Sequence, residues 1–248
     1  MPRYRALIEY DGTAYSGFQR QVVQQTVQGE LENALYTVVH QPVTIGSAGR
    51  TDTGVHALGQ VISFKIDWRH GVEKLQRAIN VNLPKDIVIL QLDETKLDFH
   101  PRYDARRRAY EYHIYNTAVR SPIRRHRSWH SKQPLAIDKM NQAAMTLIGV
   151  QDFATFGQPP QGNITTRELF VAGWRMDGEL LIFFVQANAF LYRMVRSIVG
   201  SLVMVGKGEW TVAQFADVLQ AKDRGRSAAV APAHGLYLVD VTYEDDEI

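Results

Sequence analysis

Apolar and polar residues alternate along the start of the chain. Tyr4, Ala6 and Ile8 occupy every second position, which predicts a half-buried strand over residues 3–9. A turn is predicted at Asp11-Gly12-Thr13. Apolar residues then recur at helical spacing, which predicts an amphipathic helix over residues 27–40. The other elements predicted in the first half are a strand at 61–66, a helix at 72–81 and a strand at 87–92.

The second half repeats strands and helices in a comparable order. Its predicted elements are a strand at 109–116, a helix at 135–148, two strands within 169–187, helices at 191–205 and 212–221, and a strand at 236–243. We therefore predict an α+β protein with two similar halves, each a mainly antiparallel sheet backed by helices. The expected halves are residues 1–104 and 105–248, with a cleft between them, which is where ligands commonly bind.

Composition excludes several classes of protein. The 248 residues are 45% hydrophobic and 22% charged, as is usual for a globular protein. The chain has no cysteine, which excludes a disulfide framework, a zinc finger and a thiolate nucleophile. The longest apolar run, residues 198–206, is about half of a membrane span. The N-terminus has a strand pattern instead of a secretory signal, so we expect a cytoplasmic protein.

Positive charge is concentrated in the middle of the chain. The formal net charge is only +2, but residues 102–127 contain eight arginines, opposed only by Asp104 and Glu111. Four tyrosines lie among these arginines, at positions 103, 110, 112 and 115. Arginine binds phosphates and aromatic rings stack on bases, so the stretch is either a solvated basic face or a surface for nucleic acid.

The densest chemical signal is the loop of residues 49–60. Three glycines and several small residues surround one carboxylate, that of Asp52. Such a loop exposes backbone N–H groups and lets a bulky substrate approach the carboxylate closely. The alternative is a tight turn in which Asp52 accepts hydrogen bonds from its own loop.

Motifs for metals and nucleotide cofactors are absent from the sequence. His126 and His130 have a spacing that can bind metal on a helix, but no carboxylate accompanies them and their neighbours are arginines. A role facing phosphate is the better interpretation of these histidines. No Walker A or G-x-G-x-x-G sequence occurs, so we expect neither a nucleotide cofactor nor a metal.

Two arginines precede an apolar helix. Arg193 and Arg196 are predicted to share one helical face, and the residues after them are apolar or small. An arginine that enters a buried helix needs a carboxylate partner. Arg196 therefore makes either a structural ion pair or a contact that keeps a catalytic carboxylate ionised.

These motifs together resemble the tRNA pseudouridine synthase A family over nearly the whole length. The catalytic-loop segment 49–57 is already distinctive, and the other matching segments follow in family order. They are residues 11–19, 26–32, 80–84, 99–102, 110–112, 188–196 and 231–236.

The resemblance implies an isomerase without a cofactor, which converts uridine to pseudouridine at positions 38, 39 and 40 of the tRNA anticodon stem-loop. It implies that Asp52 is the nucleophile, Tyr110 the active-site tyrosine and Arg196 the basic partner of the nucleophile. The expected substrate-binding residues are Arg50, Phe99, His100, Arg102, Tyr110, Arg106 and Arg124.

The resemblance also implies a homodimer that binds tRNA, built from two ferredoxin-like or RRM-like halves. The alternative function is a catalytically inactive RNA-binding protein on the same scaffold.

Overall fold

The computed structural model describes residues 1–159 and 162–244. Within these residues the strands are β1 Arg3–Tyr10, β2 Gly46–Ser47, β3 His56–Lys65, β4 Ile87–Thr95, β5 Arg107–Asn116, β6 Trp129–Ser131, β7 Gly149–Asp152, β8 Thr166–Asp177, β9 Leu180–Ala187 and β10 Leu236–Thr242. The α-helices are α1 Val27–Val39, α2 Val72–Asn82, α3 Ile137–Met145, α4 Met194–Gly206 and α5 Val212–Gln220. Short 3₁₀ turns occur at Gly12–Ala14, Arg224–Arg226 and Ala233–Gly235.

The chain divides into two compact units. The first contains Met1–Arg106 and the chain from Tyr237 onward, and the second contains Arg107–Leu236. We expected a single division at 104/105. The structure instead returns the C-terminal strand β10 to the first unit, where Tyr237 and Leu238 pair in parallel with His56 and Ala57 of β3.

The first unit has the strand order of a ferredoxin-like fold. β1 pairs antiparallel with both β3 and β4, and β2 pairs antiparallel with β3, so the order is β4-β1-β3-β2. Helix α1 connects β1 to β2 and α2 connects β3 to β4. β2 and β10 therefore share one edge of β3, β2 at its end and β10 at its start.

Alternation along β1 builds the core of this unit. Tyr4, Ala6 and Ile8 are at most 1% exposed, while the residues between them are more accessible. The buried stripe of α2 consists of Leu75 and Ile79, four residues apart on one helical face. Burying an aliphatic side chain of this size stabilises the fold by about 1.5–3 kcal/mol.

Asn80 ties α2 to the edge strand β4. Its amide nitrogen donates to the Ile89 carbonyl (2.9 Å) and its amide oxygen accepts from the Ile89 N–H (2.8 Å). The pairing of β1 with β4 shifts register beside Ile89, which is where a bulged strand leaves backbone groups to be satisfied. Asn80, the first residue of the segment 80–84 that resembles the family, therefore has a structural role.

The second unit repeats part of this plan. Its antiparallel strands have the order β5-β9-β8-β7, and β6 pairs in parallel with β5. Helix α3 lies between β5 and β8 in sequence, and α4 follows β9. The order β5-β9-β8 therefore matches the order β1-β3-β2 of the first unit. The predicted α+β class with two similar, mainly antiparallel halves is confirmed.

Several element boundaries differ from the predictions for local reasons. Helix α4 begins at Met194 instead of Leu191, because the backbone of Arg193 is left-handed (φ 61°) and cannot continue into a helix. Arg193 and Arg196 therefore do not share a helical face. β3 begins at His56, five residues earlier than expected, since its first residues pair with β10 as well as β1. Helix α3 is shorter than the predicted 135–148.

A charged cluster lies on the outer face of β5. The Glu111 carboxylate is within hydrogen-bond distance of His113 Nε2 (2.9 Å) and accepts from the Arg175 guanidinium (3.0 Å). Burial opposes ionisation, but these two hydrogen bonds outweigh it and hold the pKa of Glu111 below its ordinary value. Because neighbouring strand residues face opposite sides, this cluster lies on the face opposite Tyr110.

We predict that Glu111→Gln destabilises the protein at neutral pH and less so in acid. A carboxyl whose pKa is lower when folded stabilises the fold above its unfolded pKa of about 4.3. That contribution disappears as the pH falls through the folded value. Urea unfolding should give a loss of about 1 kcal/mol at pH 7, allowing for the exposure of Arg175, and a smaller loss below about pH 4. Exposed Glu9→Gln is the control, and a loss independent of pH would contradict the prediction.

Candidate active site

The loop that carries Asp52 leads directly into β3. Asp52 is half-buried, and its carbonyl accepts a hydrogen bond from the Val55 N–H (3.1 Å). Gly54 has a φ of 75°, a left-handed conformation that glycine adopts without strain. The chain therefore turns sharply after Asp52 and enters the sheet at His56.

The segment 11–18 packs tightly against this loop. A Cβ on Gly12 would lie 2.0 Å from the Val55 carbonyl oxygen, and one on Gly17 (φ +92°) would lie 2.9 Å from the Thr51 carbonyl oxygen. The Phe18 N–H donates to that Thr51 carbonyl (3.0 Å). Two motifs that are far apart in sequence thus form one substructure, and glycine is required at both contacts.

Side-chain hydrogen bonds hold the part of the loop that precedes Asp52. The Thr51 hydroxyl is hydrogen-bonded to the Tyr10 hydroxyl (2.8 Å) in a buried pair. Further upstream, the amide of fully buried Gln60 donates to the Gly49 carbonyl (2.9 Å) and accepts from the Gly49 N–H (3.1 Å). These bonds hold the Asp52 backbone in one position, as a reactive group requires.

His56 anchors the other side of the loop. Its ring is buried and stacks on Tyr237, with 4.7 Å between ring centroids. Its Nδ1 accepts from the Gly12 N–H (3.0 Å) and lies 3.1 Å from a carboxylate oxygen of Asp11. Sequence reasoning did not single out Tyr10, His56 or Gln60 as positioning residues. Only the proximity of His56 and Gln60 to Asp52 along the chain hinted at this role.

Three predicted substrate-binding residues meet in one depression of the first unit. Arg50, His100 and Arg102 line a cavity of about 210 Å³. The other lining residues are Phe18, Gln19, Gln28, Ile45, Gly46, Ser47 and Tyr103. Among these described lining residues none carries a carboxylate, so the cavity is positively charged. Because Arg50 belongs to the same glycine-rich loop as Asp52, this loop forms part of the cavity wall, although Asp52 is not among the lining residues.

A second depression continues from the first. It has a volume of about 310 Å³ and shares Gly46 and His100 with its neighbour. Arg3 and Lys65 supply its cationic side chains, and the Arg3 guanidinium is held by the Leu97 carbonyl (2.9 Å) and the Ser63 hydroxyl (3.2 Å). Together the two depressions carry four cationic side chains along one side of the first unit.

Phe99 and Arg106 lie outside the first depression. The Phe99 ring is 9% exposed and packs against Tyr243, with 5.1 Å between ring centroids, so it belongs to the core of the first unit. The Arg106 guanidinium forms an exposed ion pair with Glu244 (3.1 Å).

Tyr110 and Arg196 both belong to the second unit. The Tyr110 ring is 9% exposed and meets Phe190 edge to face, with 4.9 Å between centroids. Arg196 is half-buried; its Nε donates to the Ala231 carbonyl (2.8 Å), and the Ala231 N–H donates to the Arg196 carbonyl (3.1 Å). These two bonds orient the guanidinium at the start of α4.

The basic stretch 102–127 does not form one solvated face. Arg108 is 9% exposed and its guanidinium donates to the Asn188 carbonyl (3.0 Å). The Arg107 guanidinium lies 4.8 Å from the centroid of the Phe170 ring. Arg124 is exposed, with its guanidinium 5.4 Å from the centroid of the Tyr115 ring. Part of the charge that the sequence suggested for RNA is therefore used in packing the second unit.

Comparison with known proteins assigns the chain to a family. A family profile described as tRNA pseudouridine synthase matches residues 6–104 and 143–244. The chain belongs to the tRNA pseudouridine synthase family. Relatives named tRNA pseudouridine synthase A include one from Francisella tularensis subsp. novicida (strain U112), 43% identical over 247 residues, with 99% of this chain and 95% of the relative covered. The expected family and enzyme class, an isomerase of tRNA uridines, are confirmed at this level.

Other members of the tRNA pseudouridine synthase family give the same result. The Shewanella baltica (strain OS185) relative is 42% identical, covering 96% of this chain and 92% of its own length. The Caulobacter vibrioides (strain NA1000 / CB15N) relative is 42% identical, covering 99% and 100%. A solved structure described as a Cbf5-Nop10-Gar1 complex covers 81% of this chain and 45% of its own, at 13% identity and a TM-score of 0.37, which is too low to support any functional statement.

The two histidines whose spacing could bind a metal on a helix, His126 and His130, do not lie on a helix. His126 lies in a turn, whereas His130 lies in β6 with its Nε2 2.9 Å from the Thr117 carbonyl. No group of three or more potential metal ligands occurs among residues 1–159 and 162–244. Across the same described residues, no helix combines the length and apolar character needed to cross a bilayer.

We predict that the Tyr10–Thr51 pair behaves as a coupled unit. Tyr10→Phe should lower the free energy of unfolding by about 1–2 kcal/mol, because it leaves the buried Thr51 hydroxyl without this partner. Thr51→Val should have a similar effect, and the double variant should lose little more than either single one. Denaturant unfolding measures all three, with Tyr36→Phe, at a tyrosine that is 52% exposed, as a near-neutral control. Fully additive losses would contradict the coupling.

Proposed function

We propose that this chain converts uridine to pseudouridine at positions 38, 39 and 40 of the tRNA anticodon stem-loop, with Asp52 as the nucleophile. The observation that carries the proposal is the placement of Asp52 on a rigid loop whose Arg50 opens into a positively charged depression. Such a depression suits the phosphate of a target nucleotide, and the loop lets the sugar approach the carboxylate.

The reaction is an isomerisation that neither oxidises nor reduces the base. The N1–C1′ bond breaks, the base turns, and a C5–C1′ bond forms; C5 then loses its proton and N1 gains one. An ionised carboxylate can attack C1′ or assist formation of a glycal, as carboxylates do at other anomeric carbons. No metal or redox cofactor is part of the proposal.

Tyr110 and Arg196 complete the proposed catalytic set. Tyr110 would supply a hydroxyl for proton transfer after the base is reattached, and its contact with Phe190 limits the orientations of its ring. Arg196 would keep the nucleophile ionised, a role that suits a guanidinium whose Nε is held by the Ala231 carbonyl.

The target base must leave its stack before it can react, so the enzyme needs side chains that hold the flipped nucleotide. We propose that Arg50 and Arg102 bind phosphates next to the flipped nucleotide at the first depression, and that His100 contributes to the same RNA-binding wall. Phe99, being buried, would support the neighbouring His100 from the core. Arg106 and Arg124 would contact the RNA backbone, and the exposed ion pair of Arg106 with Glu244 is weak enough for phosphate to displace.

The proposal includes a homodimer located in the cytoplasm. A homodimer would let one tRNA contact both copies of the chain. Light scattering of the purified protein tests the stoichiometry, and a fluorescent fusion in cells tests the compartment. A monomer at all accessible concentrations would remove the dimer from the proposal.

Asp52→Asn tests the nucleophile. We expect turnover to vanish, because the amide keeps the shape of the side chain but cannot attack or stabilise the anomeric carbon. Binding of tRNA should change little, since phosphate contacts supply most of the affinity. Tritium release from C5-labelled uridine in tRNA measures turnover, with exposed Asp67→Asn as the control. Substantial pseudouridine formation by Asp52→Asn would refute the assignment. A wild-type chain that binds tRNA without turnover would favour the inactive RNA-binding alternative.

Tyr110→Phe tests the hydroxyl of the second unit. Turnover should fall on the order of a hundredfold or more while tRNA binding persists, because only the proton-transfer group is lost. Tyr112→Phe is the matched control: Tyr112 follows two residues later on the same strand face, and its hydroxyl donates to the Pro232 carbonyl (2.7 Å). That variant should lose stability instead of turnover. Equal turnover in both variants would leave Tyr110 with a packing role only.

A further inference from the structure

Tyr103 is the most exposed tyrosine of the described residues. Its side chain is 74% exposed, compared with 52% for Tyr36 and 49% for Tyr192. Tyr36 lies on a helix surface, and the Arg193 guanidinium lies 5.0 Å from the centroid of the Tyr192 ring. Tyr103 instead lines the first depression, together with Arg50 and Arg102.

The turn that presents Tyr103 is held by four hydrogen bonds. The His100 N–H donates to the Asp104 carboxylate (2.8 Å), and the Asp104 N–H donates to the His100 carbonyl (3.1 Å). The Nδ1 of His100 accepts from the N–H groups of Arg102 (3.1 Å) and Tyr103 (3.3 Å). An exposed side chain on so constrained a turn loses little backbone freedom when it binds a ligand.

His100 supports the Tyr103 ring from one side. The two ring centroids are 4.3 Å apart and the planes are inclined by 38°. The inner part of the tyrosine ring therefore contacts the imidazole, while its large exposed fraction leaves most of the ring accessible to a ligand. A ring that is supported by a second ring can stack on the base of a nucleotide. The two guanidinium groups in the same depression can neutralise its phosphate.

We propose that Tyr103 stacks on an unpaired base next to the target uridine, while Arg50 and Arg102 contact the phosphates of that segment. This inference rests on the proposed function and adds a subsite for a nucleotide that does not react. The enzyme would thus bind two unstacked nucleotides, one at Asp52 and one on Tyr103. Because a base must be unpaired before it can stack on Tyr103, the site prefers single-stranded RNA to a continuous duplex.

The test uses an anticodon stem-loop RNA that carries 2-aminopurine immediately 5′ or 3′ of the target uridine. Stacking on an aromatic ring quenches the fluorescence of this base. We expect the wild-type chain to quench one of the two positions. Tyr103→Ala should lose that quenching and raise the Kd for the RNA roughly 5- to 150-fold, which corresponds to the loss of one base–aromatic stack.

Two further variants separate stacking from other effects. Tyr103→Phe should retain the quenching and the affinity, because it keeps the ring and loses only the hydroxyl. Tyr36→Ala, the matched exposed tyrosine of α1, should behave as wild type. If thermal unfolding shows that Tyr103→Ala is destabilised, Tyr103→Leu replaces it, since leucine keeps an apolar side chain without an aromatic face.

The proposal is overturned if Tyr103→Ala, or Tyr103→Leu in its place, quenches and binds like wild type. It is also overturned if Tyr103→Phe loses as much as alanine, or if the wild type quenches neither position. Fluorescence and binding require no turnover. A chain that quenches but forms no pseudouridine would therefore refute the proposed function and leave the stacking site supported.

Discussion

The close approach between residues 11–18 and the Asp52 loop is the contact on which the rest of the site depends. Gly12 and Gly17 allow it, because a side chain at either position would collide with a backbone carbonyl of Val55 or Thr51. Once the two segments touch, the Tyr10–Thr51 hydrogen bond and the His56 contact to Gly12 can form. A half-buried carboxylate then stands at a defined position beside Arg50. Without this packing the loop would be a flexible glycine-rich segment, and its carboxylate would have no fixed geometry.

The tertiary structure, more than the clustering of arginines along the chain, determines where positive charge lies on this protein. The arginine-rich stretch at 102–127 is divided: Arg102 lines the first depression, whereas Arg108 is buried against the Asn188 carbonyl. The cations of the two depressions come instead from four distant points in the sequence, with Arg3 and Lys65 joining Arg50 and Arg102. A surface with several separated positive charges favours a polyanion over a single anion, because each phosphate that is neutralised releases counterions.

The similarity of the two units lies in topology and not in local sequence. In the first unit α1 lies between β1 and β2 along the chain, and in the second unit α3 lies between β5 and β8. Each of these strand pairs occupies the same two positions in the β1-β3-β2 and β5-β9-β8 orders. Their chemical content differs: the first unit carries a glycine-rich loop with a carboxylate, and the second carries Tyr110 on a strand and Arg196 at a helix start. The two units can differ in this way because a fold does not determine which side chains its loops, strands and helix ends carry.

The sequence by itself determined the five α-helices and the seven longer strands, the α+β class, the family and the loop of Asp52, because these depend on periodicity and on motifs contiguous in the chain. It did not predict the short strands β2, β6 and β7, which have too few residues to show a period. Only the tertiary structure decided that Phe99 packs in the core, that β10 returns to the first unit, and that Tyr10 and Gln60 hold the loop. Alternation along a strand indicates which side chains share a face, but not which distant residue meets them there. Hydrogen-bond partners 41 residues apart, such as Tyr10 and Thr51, are brought together by the pairing of β1 with β3, and no local pattern encodes that pairing.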